Sequence, residues 1–234
     1  MGESAEPLVT LPDEEAAHLV RVLRLTRGAP VRVFDGRGNE WSGEVAGITK
    51  KSATVRLLQR VDAAPESLMS LTLVMAVLKS DKMDDVVRDA VMLGVLAIVP
   101  LLTARTESSR SAIVRGRRIE RWQRIAVASA KQCGRAVVPR VTDAVEFDDW
   151  IAQPKHEPLV ILVEPSLNIT RTQLMRTLAP GYILVGPEGG WTEPEVNAAL
   201  HAGAAPLTLG SLTLRADAAP LIALTAIRTI LGDI

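Results

Sequence analysis

The sequence of 234 residues is poor in the residues that build disulfide and metal sites, and aromatic side chains make up only 3% of it. Its single cysteine, Cys133, excludes an intrachain disulfide framework and fits a reducing compartment. Three scattered histidines offer no recognisable metal-ligand spacing. The longest apolar runs, such as 220–227, are too short for a membrane span, and the acidic start lacks the pattern of a secretory signal. We therefore expect a cytoplasmic, metal-free globular protein.

Positive charge is concentrated in one part of a chain whose formal net charge is zero. Residues 105–140 hold ten Lys or Arg and two acidic residues, whereas residues 141–234 hold five and eleven. Such a concentration is typical of a face that binds a polyanion, and equally of a solvated basic helix. Charge alone leaves both interpretations open.

The first third of the chain has the pattern of a small β-rich domain. Alternating apolar residues predict three strands, at 31–33, 41–48 and 53–58. Short strands separated by turn residues indicate a small barrel or antiparallel sheet. A helix is predicted before them, with Asp13 as its N-cap and Gly28 past its end. The pattern changes at 62–69, which predicts a first domain of 1–68 and a second of 69–234.

The second domain has the pattern of an α/β fold. Apolar runs predict strands at 71–78, 95–103, 158–164, 182–186 and 205–210. Helical spacing predicts helices at 80–94, capped by Ser80 or Asp81, and at 115–134, 192–203 and 215–232. Repeated β-then-α units indicate a mostly parallel sheet covered by helices on both faces.

The stretch GYILVGPEGGWTEPEV, residues 181–196, indicates a ligand site. A buried strand ends in a glycine-rich turn at Gly186, after which a helix begins. The glycine spacing fits neither a P-loop nor a dinucleotide fingerprint. Pro187 restricts the turn, and Glu188 would repel a phosphate, so we expect a neutral or cationic ligand such as a sulfonium. The alternative is a tight connection between strand and helix.

Two further strand ends support a pocket. The segment LTLGSLTLRADAAP, 207–220, places Arg215 at the start of a predicted helix, and LVEPS, 162–166, follows another strand. Ligands in open α/β sheets bind beyond the carboxyl ends of strands. Three such ends are expected to converge on one site.

Four ordered motifs carry a resemblance to a known family. They are HLVRVLRLTRGAPVRVFDGRG, KSDKMDDVVRDAVMLGV, IERWQRIAVASAKQCGRAVVPRV, and the pair LVGPEGGWTEPEV and LGSLTLRADAAPLIAL. In this order, over nearly the whole length, the sequence resembles the SPOUT-type ribosomal RNA small-subunit methyltransferase E family.

The resemblance implies an N-terminal PUA-like β-barrel that helps to bind RNA and a C-terminal α/β domain with a deep trefoil knot. It implies S-adenosylmethionine as cofactor, a homodimer, and N3-methylation of one uridine in 16S ribosomal RNA of the small subunit. Two alternatives stay open: another SPOUT activity, on transfer RNA or on a ribose 2′-oxygen, and a non-catalytic RNA-binding or ribosome assembly factor.

The resemblance also implies a cofactor site. Its residues would be Leu162, Val163, Glu164, Leu184, Val185, Gly186, Pro187, Glu188, Gly189, Gly190, Leu209, Gly210, Leu212, Leu214 and Arg215. Four of these would surround the adenine: Leu184, Leu209, Leu212 and Leu214. Arg215 would stabilise negative charge on a carbonyl oxygen of the base; its alternative is a pair with Asp217. Glu188 is either a base or a structural acceptor for its own loop.

Six arginines are candidate RNA contacts, namely Arg21, Arg24, Arg121, Arg124, Arg135 and Arg140, with solvated helix faces as the alternative. Trp191 is expected to pack. Five residues depart from the family pattern: Met92, Ala128, Lys131, Ala216 and Asp217. These departures leave the proton acceptor and the exact target nucleotide open.

Overall fold

The computed structural model describes residues 7–49, 52–165 and 181–234. Its contacts divide the chain into two compact units. The first consists of Met1–Pro65 with Gly134–Val137, and the second of Glu66–Cys133 with Val138–Ile234. The two units are described separately below.

The first unit is built on a four-stranded antiparallel sheet of order β1-β4-β3-β2. Its strands are β1 (Leu8–Thr10), β2 (Pro30–Phe34), β3 (Glu40–Ile48) and β4 (Ala53–Val61). The register of β3 shifts between Ser42 and Gly43, where a Cβ on Gly43 would lie 2.6 Å from the carbonyl oxygen of Arg56. Glycine therefore permits the bulge that re-aligns the two strands. Strands β2 to β4 were predicted from the sequence, and β1 was not.

The helix predicted between Pro12 and Gly28 is wrong in extent. It divides into α1 (Asp13–Ala17) and a π-helical turn, His18–Val22. Asp13 is the first helical residue, not the N-cap; Pro12 occupies the N-cap position and makes no side-chain cap hydrogen bond. The helix ends before Gly28 because Arg24 adopts a left-handed backbone with φ of 52°, which an α-helix excludes.

Residues 134–137 join the first unit through backbone contacts with the turn between β2 and β3. The amide of Gly38 donates to the carbonyl oxygen of Ala136 at 3.0 Å, and Val137 bridges to Gly36. Four residues that follow a long helix of the second unit thus pack with the first unit.

The second unit contains a mostly parallel sheet of order β11-β9-β10-β5-β6-β7, with β8 paired to β6. Its strands are β5 (Thr72–Ala76), β6 (Ala97–Leu102), β7 (Arg140–Val141), β8 (Val145–Glu146), β9 (Leu159–Leu162), β10 (Tyr182–Val185) and β11 (Ala205–Leu207). All residues of β5 are buried, as expected of a strand covered on both faces. The α/β prediction is confirmed.

Helices cover both faces of this sheet. They are α2 (Lys82–Met92), α3 (Arg110–Arg115), α4 (Arg118–Cys133), α5 (Phe147–Ile151), α6 (Glu193–His201) and α7 (Ala219–Ile230). One apolar cluster joins the sheet to α2, α4 and α7, and a second joins it to α5 and α6. Successive residues of β10 alternate between them: Ile183 and Val185 belong to the first cluster and Leu184 to the second. This alternation follows from the period of a strand.

Three helix boundaries differ from the prediction. The segment predicted as one helix from 115 is preceded by α3, and Arg117, with φ of 48°, separates α3 from α4. Helix α7 begins at Ala219 instead of near 216, because the preceding residues form a turn in which the amide of Ala218 donates to the carbonyl oxygen of Arg215. Asp81 occupies the N-cap position of α2, but its side chain makes no cap hydrogen bond.

Among the described residues, no helix combines the length and the apolar character needed to cross a bilayer. Across the same ranges, no group of three His, Cys, Asp or Glu side chains is arranged to hold a metal ion.

Candidate functional site

A cavity of about 420 Å³ opens at the carboxyl ends of β9 and β10 in the second unit. It is lined by Lys82, Leu162, Val163, Glu164, Pro165, Val185, Gly186, Pro187, Glu188, Gly190, Trp191, Leu207, Leu209, Leu212, Thr213, Leu214, Arg215, Ala216 and Ala219. The structure therefore brings together the three segments that the sequence indicated. This is the edge at which parallel α/β sheets bind ligands.

Three of the residues expected at the cofactor do not line the cavity. Leu184 is fully buried in the apolar cluster with α5 and α6, because the strand period turns it away from the face of Val185. Gly189 is exposed and packs against the side chain of Arg105. Gly210 is exposed with φ of 81°, and a Cβ added to it would meet no atom within 4 Å, so it supplies a turn.

Seven lining residues were not singled out as cofactor contacts: Lys82, Pro165, Trp191, Leu207, Thr213, Ala216 and Ala219. Six of them lie in the three segments that the sequence indicated, and Lys82 does not. Lys82 is the most informative of them, because it is the first residue of α2 and follows the carboxyl end of β5. The same strand-end rule that indicated the other segments applies to β5, so this signal was present in the sequence.

Trp191 packs against the start of the glycine loop, residues 186–190. The indole is 6% exposed and its Nε1 donates to the carbonyl oxygen of Leu162 at 2.9 Å. A Cβ on Gly186 would lie 3.1–3.3 Å from three atoms of this ring. The ring also packs at 5.6 Å from that of Phe147. The expectation that Trp191 packs is confirmed, and the packing explains why residue 186 is glycine.

Arg105 holds the outer side of the glycine loop. Its Nη1 donates to the carbonyl oxygen of Gly189 at 2.6 Å, and its stem covers the position that a Gly189 side chain would occupy. The neighbouring amide of Ala104 donates to Oε1 of Glu195 at 2.8 Å. Sequence reasoning missed Arg105, although it follows the carboxyl end of β6.

The start of α6 fixes the chain after the glycine loop. Thr192 and Glu195 form a capping box, in which each side chain accepts from the backbone amide of the other residue. This arrangement satisfies two amides that a helix start leaves without partners. With its carboxylate shared between Thr192 and Ala104, the buried Glu195 joins the loop after β6 to the helix after β10.

Glu188 lies at the cavity as an ionised acceptor. Its Oε1 accepts from the amide of Lys79 at 3.1 Å and from Nζ of Lys82 at 3.2 Å. Burial on its own would raise the pKa of Glu188, but hydrogen bonds from its own amide, the Lys79 amide and the Lys82 ammonium bring that pKa below its ordinary value. Such a carboxylate is a weak base and a good structural acceptor.

Arg215 forms a bidentate ion pair with Asp217. Nε donates to Oδ1 at 3.0 Å and Nη2 to Oδ2 at 2.6 Å. The pairing that the sequence offered as an alternative is therefore present. It leaves Nη1 of the guanidinium, whose side chain is 73% exposed, outside the pair. A guanidinium oriented in this way can still donate to a second acceptor.

The walls of the cavity suit a ligand with an apolar ring and little negative charge. Val163, Leu209 and Leu214 supply apolar surface. The charged lining residues are two carboxylates, Glu164 and Glu188, and two cations, Lys82 and Arg215. Both cations of this set are paired with carboxylates, so the described lining lacks the cluster of unpaired positive charge that a phosphate favours.

The six candidate RNA-binding arginines divide between the two units. Arg21, Arg24 and Arg135 belong to the first unit, and Arg121, Arg124 and Arg140 to the second. Arg24 is exposed in its left-handed conformation, and Arg21 is exposed on the π-helical turn. In the second unit, Arg121 forms ion pairs with Asp84 and Asp81, and Arg140 is exposed on β7.

Comparison with known proteins places this fold and site in a class. Residues 65–228 match the family model described as the RNA methyltransferase domain, and residues 11–58 match the RNA methyltransferase PUA domain. The class that the fold and the site define is that of RNA methyltransferases with a PUA domain.

Individual relatives narrow the class to one family. The Ribosomal RNA small subunit methyltransferase E of Synechocystis is 34% identical over 97% of this chain and 74% of its own length. The crystal structure of that enzyme from Neisseria gonorrhoeae, bound to S-adenosyl methionine, has a TM-score of 0.87 and 30% identity over 98% of this chain and 94% of its own. A putative methyltransferase from Legionella pneumophila, in complex with the bound cofactor SAM, has a TM-score of 0.87 and 25% identity over the same shares. The chain belongs to the ribosomal RNA small subunit methyltransferase E family.

Proposed function

We propose that the protein transfers a methyl group from S-adenosylmethionine to N3 of a uridine in the 16S ribosomal RNA of the small subunit. The observation that carries this proposal is the cavity formed by the ends of β9 and β10 and by residues 207–219. The family relatives from Neisseria gonorrhoeae and Legionella pneumophila, which have the same fold over 98% of the chain, were solved with this cofactor bound.

The residues present fit S-adenosylmethionine. A volume of about 420 Å³ lies within the range of roughly 300–1,000 Å³ that small-molecule and cofactor sites occupy. Leu209, Leu212 and Leu214 would surround the adenine, and the amides of the glycine loop would bond its polar edge. Glu164 and Glu188 place carboxylates at the cavity wall, where they would attract a sulfonium.

When bound, the cofactor would supply an electrophilic methyl group on sulfur: N3 would take the methyl group, its proton would pass to water, and S-adenosylhomocysteine would leave. Arg215 donates from Nη1 to a carbonyl oxygen of the base and stabilises the negative charge that develops there. Asp217 holds the guanidinium in that orientation. Glu188 keeps the glycine loop in shape as an acceptor, because the Lys79 amide and the Lys82 ammonium already donate to it, and much of the catalysis is positioning.

We assign RNA binding to the first domain, residues 1–68, and the cofactor site to the second, 69–234. Arg21, Arg24 and Arg135 provide phosphate contacts on the first unit. Arg121, Arg124 and Arg140 extend the contacts on the second. Phosphate contacts of this kind position the RNA, and the cavity selects the base.

We further propose that the protein acts as a homodimer in the cytoplasm and that its second domain has the trefoil knot of the family. Exposed Ile222 and Ile230 on α7 provide apolar surface that a second copy would cover. Sedimentation equilibrium of the wild type and of Ile222→Glu tests the assembly. A wild type that sediments as a monomer would remove the dimer from the proposal.

The reaction is tested by nucleoside mass spectrometry of small-subunit RNA from a strain that lacks this gene, with rescue by wild type or by Arg215→Ala. We expect 3-methyluridine to disappear on deletion and to return only with the wild type. If another methylated nucleoside disappears instead, the chain has a different substrate among RNA methyltransferases. If no nucleoside changes while the purified protein binds the cofactor, a role in RNA binding or ribosome assembly replaces the enzymatic one.

A further inference from the structure

Lys82 occupies a position at the cavity that none of the other lysines shares among the described residues. It is the first residue of α2, and its Nζ donates to Oε1 of Glu188 at 3.2 Å across a sequence separation of 106 residues. The two side chains are 38% and 22% exposed, so water screens the pair only in part. The contact joins the element after β5 to the loop after β10.

Lys82 also acts on the segment that carries Arg215. The pKa of Asp217 lies below its ordinary value, first because Arg215 donates to it and in smaller part because of the positive charge of Lys82. The structure thus holds two separate ion pairs, Lys82 with Glu188 and Arg215 with Asp217.

The backbone before α2 directs Lys82 toward the cavity. Ser80 adopts a left-handed conformation with φ of 52°, which is unfavourable for a residue with a side chain and is retained where the surroundings require it. On either side of this residue, the amide of Lys79 and the ammonium of Lys82 converge on one oxygen of Glu188. The ammonium of Lys79 instead pairs with Glu107 at 2.5 Å, so it does not replace that of Lys82.

We infer that Lys82 is a positioning residue that holds the cofactor loop, residues 186–190, in place through its ion pair with Glu188. This role rests on the proposed function, since it concerns the same cavity. Without the ammonium, Glu188 faces the cavity with one fewer compensating charge, and the glycine loop loses a donor.

The inference is tested by titrating S-adenosylmethionine into the purified full chain by calorimetry. We expect Lys82→Met to weaken binding about tenfold, because a hydrogen bond to a charged group is lost from a partly screened site. Lys82→Arg keeps the charge and the donor and should recover binding to within about threefold of the wild type. The matched control is Arg88→Met on the same helix, since Arg88 pairs with Asp85 and Asp89 away from the cavity.

The pH dependence separates this role from a merely structural one. Glu188 accepts from the Lys79 amide and the Lys82 ammonium, and the positive charge of Lys79 also acts on it. Arg105 donates to the carbonyl oxygen of the next residue, Gly189. Removing the ammonium raises the pKa of Glu188, so its ionised form is lost at a higher pH in Lys82→Met than in the wild type. The dissociation constant of Lys82→Met divided by that of the wild type should therefore rise as the pH is lowered from about 8 to about 5. Titration of the ligand affects both constants equally and cancels in this ratio. Adding Glu188→Gln should abolish that rise.

An unchanged dissociation constant for Lys82→Met, within about twofold of the wild type at every pH, overturns the inference whatever the activity shows. If Lys82→Met does not fold, Lys82→Gln carries the same test, because it keeps a neutral donor and removes the charge. The titration contains no RNA, so a failure of the proposed methylation reaction leaves this result unaffected. Conversely, a wild type that methylates uridine while Lys82→Met binds normally would retain the function and remove only the role of Lys82.

Discussion

Gly186 offers a direct test of how the cofactor loop is built, because its backbone is not in the left-handed region and only space excludes a side chain. In Gly186→Ala, the new methyl group would lie 3.1 Å from Cε2, 3.2 Å from Nε1 and 3.3 Å from Cδ2 of Trp191. The indole cannot easily yield, since it is buried, bonded to the carbonyl oxygen of Leu162 and packed against Phe147.

The expected magnitude follows from these contacts. Overpacking of a rigid site by one methyl group costs about 1–3 kcal/mol, and a loop displaced to relieve the contact can no longer present its amides to the cofactor. We expect Gly186→Ala to reduce the free energy of unfolding by about 2 kcal/mol. Affinity for S-adenosylmethionine should fall at least about tenfold.

A double-mutant cycle with Trp191→Phe isolates the contact. Trp191→Phe alone leaves the carbonyl oxygen of Leu162 without its indole donor, at a cost of about 1–3 kcal/mol, but it makes room next to residue 186. The double variant should therefore be more stable than the sum of the single changes by about 0.5 kcal/mol or more. Urea denaturation measures the free energies of unfolding, and calorimetric titration measures the affinities for the cofactor. Strict additivity, or a Gly186→Ala protein with wild-type affinity, would refute the steric argument.

Two more predictions concern the buried pair of Arg228 and Asp233, whose side chains are 10% and 4% exposed, and a third concerns Asp217. Arg228→Met should lower the free energy of unfolding by about 3–5 kcal/mol in urea denaturation, because it leaves a buried carboxylate without its cation; Arg228→Lys should lose less. Burial would raise the pKa of Asp233, but hydrogen bonds from Ser67 and Arg228 hold it below its ordinary value. Its stabilising contribution is therefore complete above about pH 4 and is lost as the pH falls through the lowered pKa. In Asp233→Asn, the free energy of unfolding should depend less on pH in this acidic range. Asp217→Asn should reduce kcat about tenfold with less effect on cofactor affinity, and Asp217→Glu should recover part of the rate; equal rates for all three proteins would show that the pair does not orient Arg215.

The secondary structure of the second unit was largely predictable because its signals are local. Strands such as β5 and β10 are unbroken apolar runs, and α2 and α4 have regular apolar spacing that ends at Gly94 and Gly134. The carboxyl-end rule then placed the glycine loop and residues 207–220 at one cavity. These inferences need only the neighbours in sequence and a general property of parallel sheets.

Other features depend on contacts that the local pattern does not contain. The left-handed backbone of Arg24 ends the first helix early, although its sequence continues with helix-compatible residues. Leu184 was expected at the adenine because it stands beside the glycine loop. In an all-apolar strand, however, no polar residue marks which face is which, and only the packing of α5 and α6 shows that Leu184 points into the core.

The location of the cofactor loop could be predicted from the sequence, but its shape could not, because the shape depends on long-range contacts. The glycines at 186, 189 and 190 are compatible with several backbone conformations and do not determine which one the loop adopts. The selection comes from donors far away in sequence: Lys79 and Lys82 reach Glu188 over 109 and 106 residues, and Arg105 reaches Gly189 over 84. All three follow the carboxyl ends of β5 and β6; β5 is next to β10 in the sheet, and β6 is next to β5. Strand order therefore decides which cations meet the loop, so predicting the site requires predicting the sheet first.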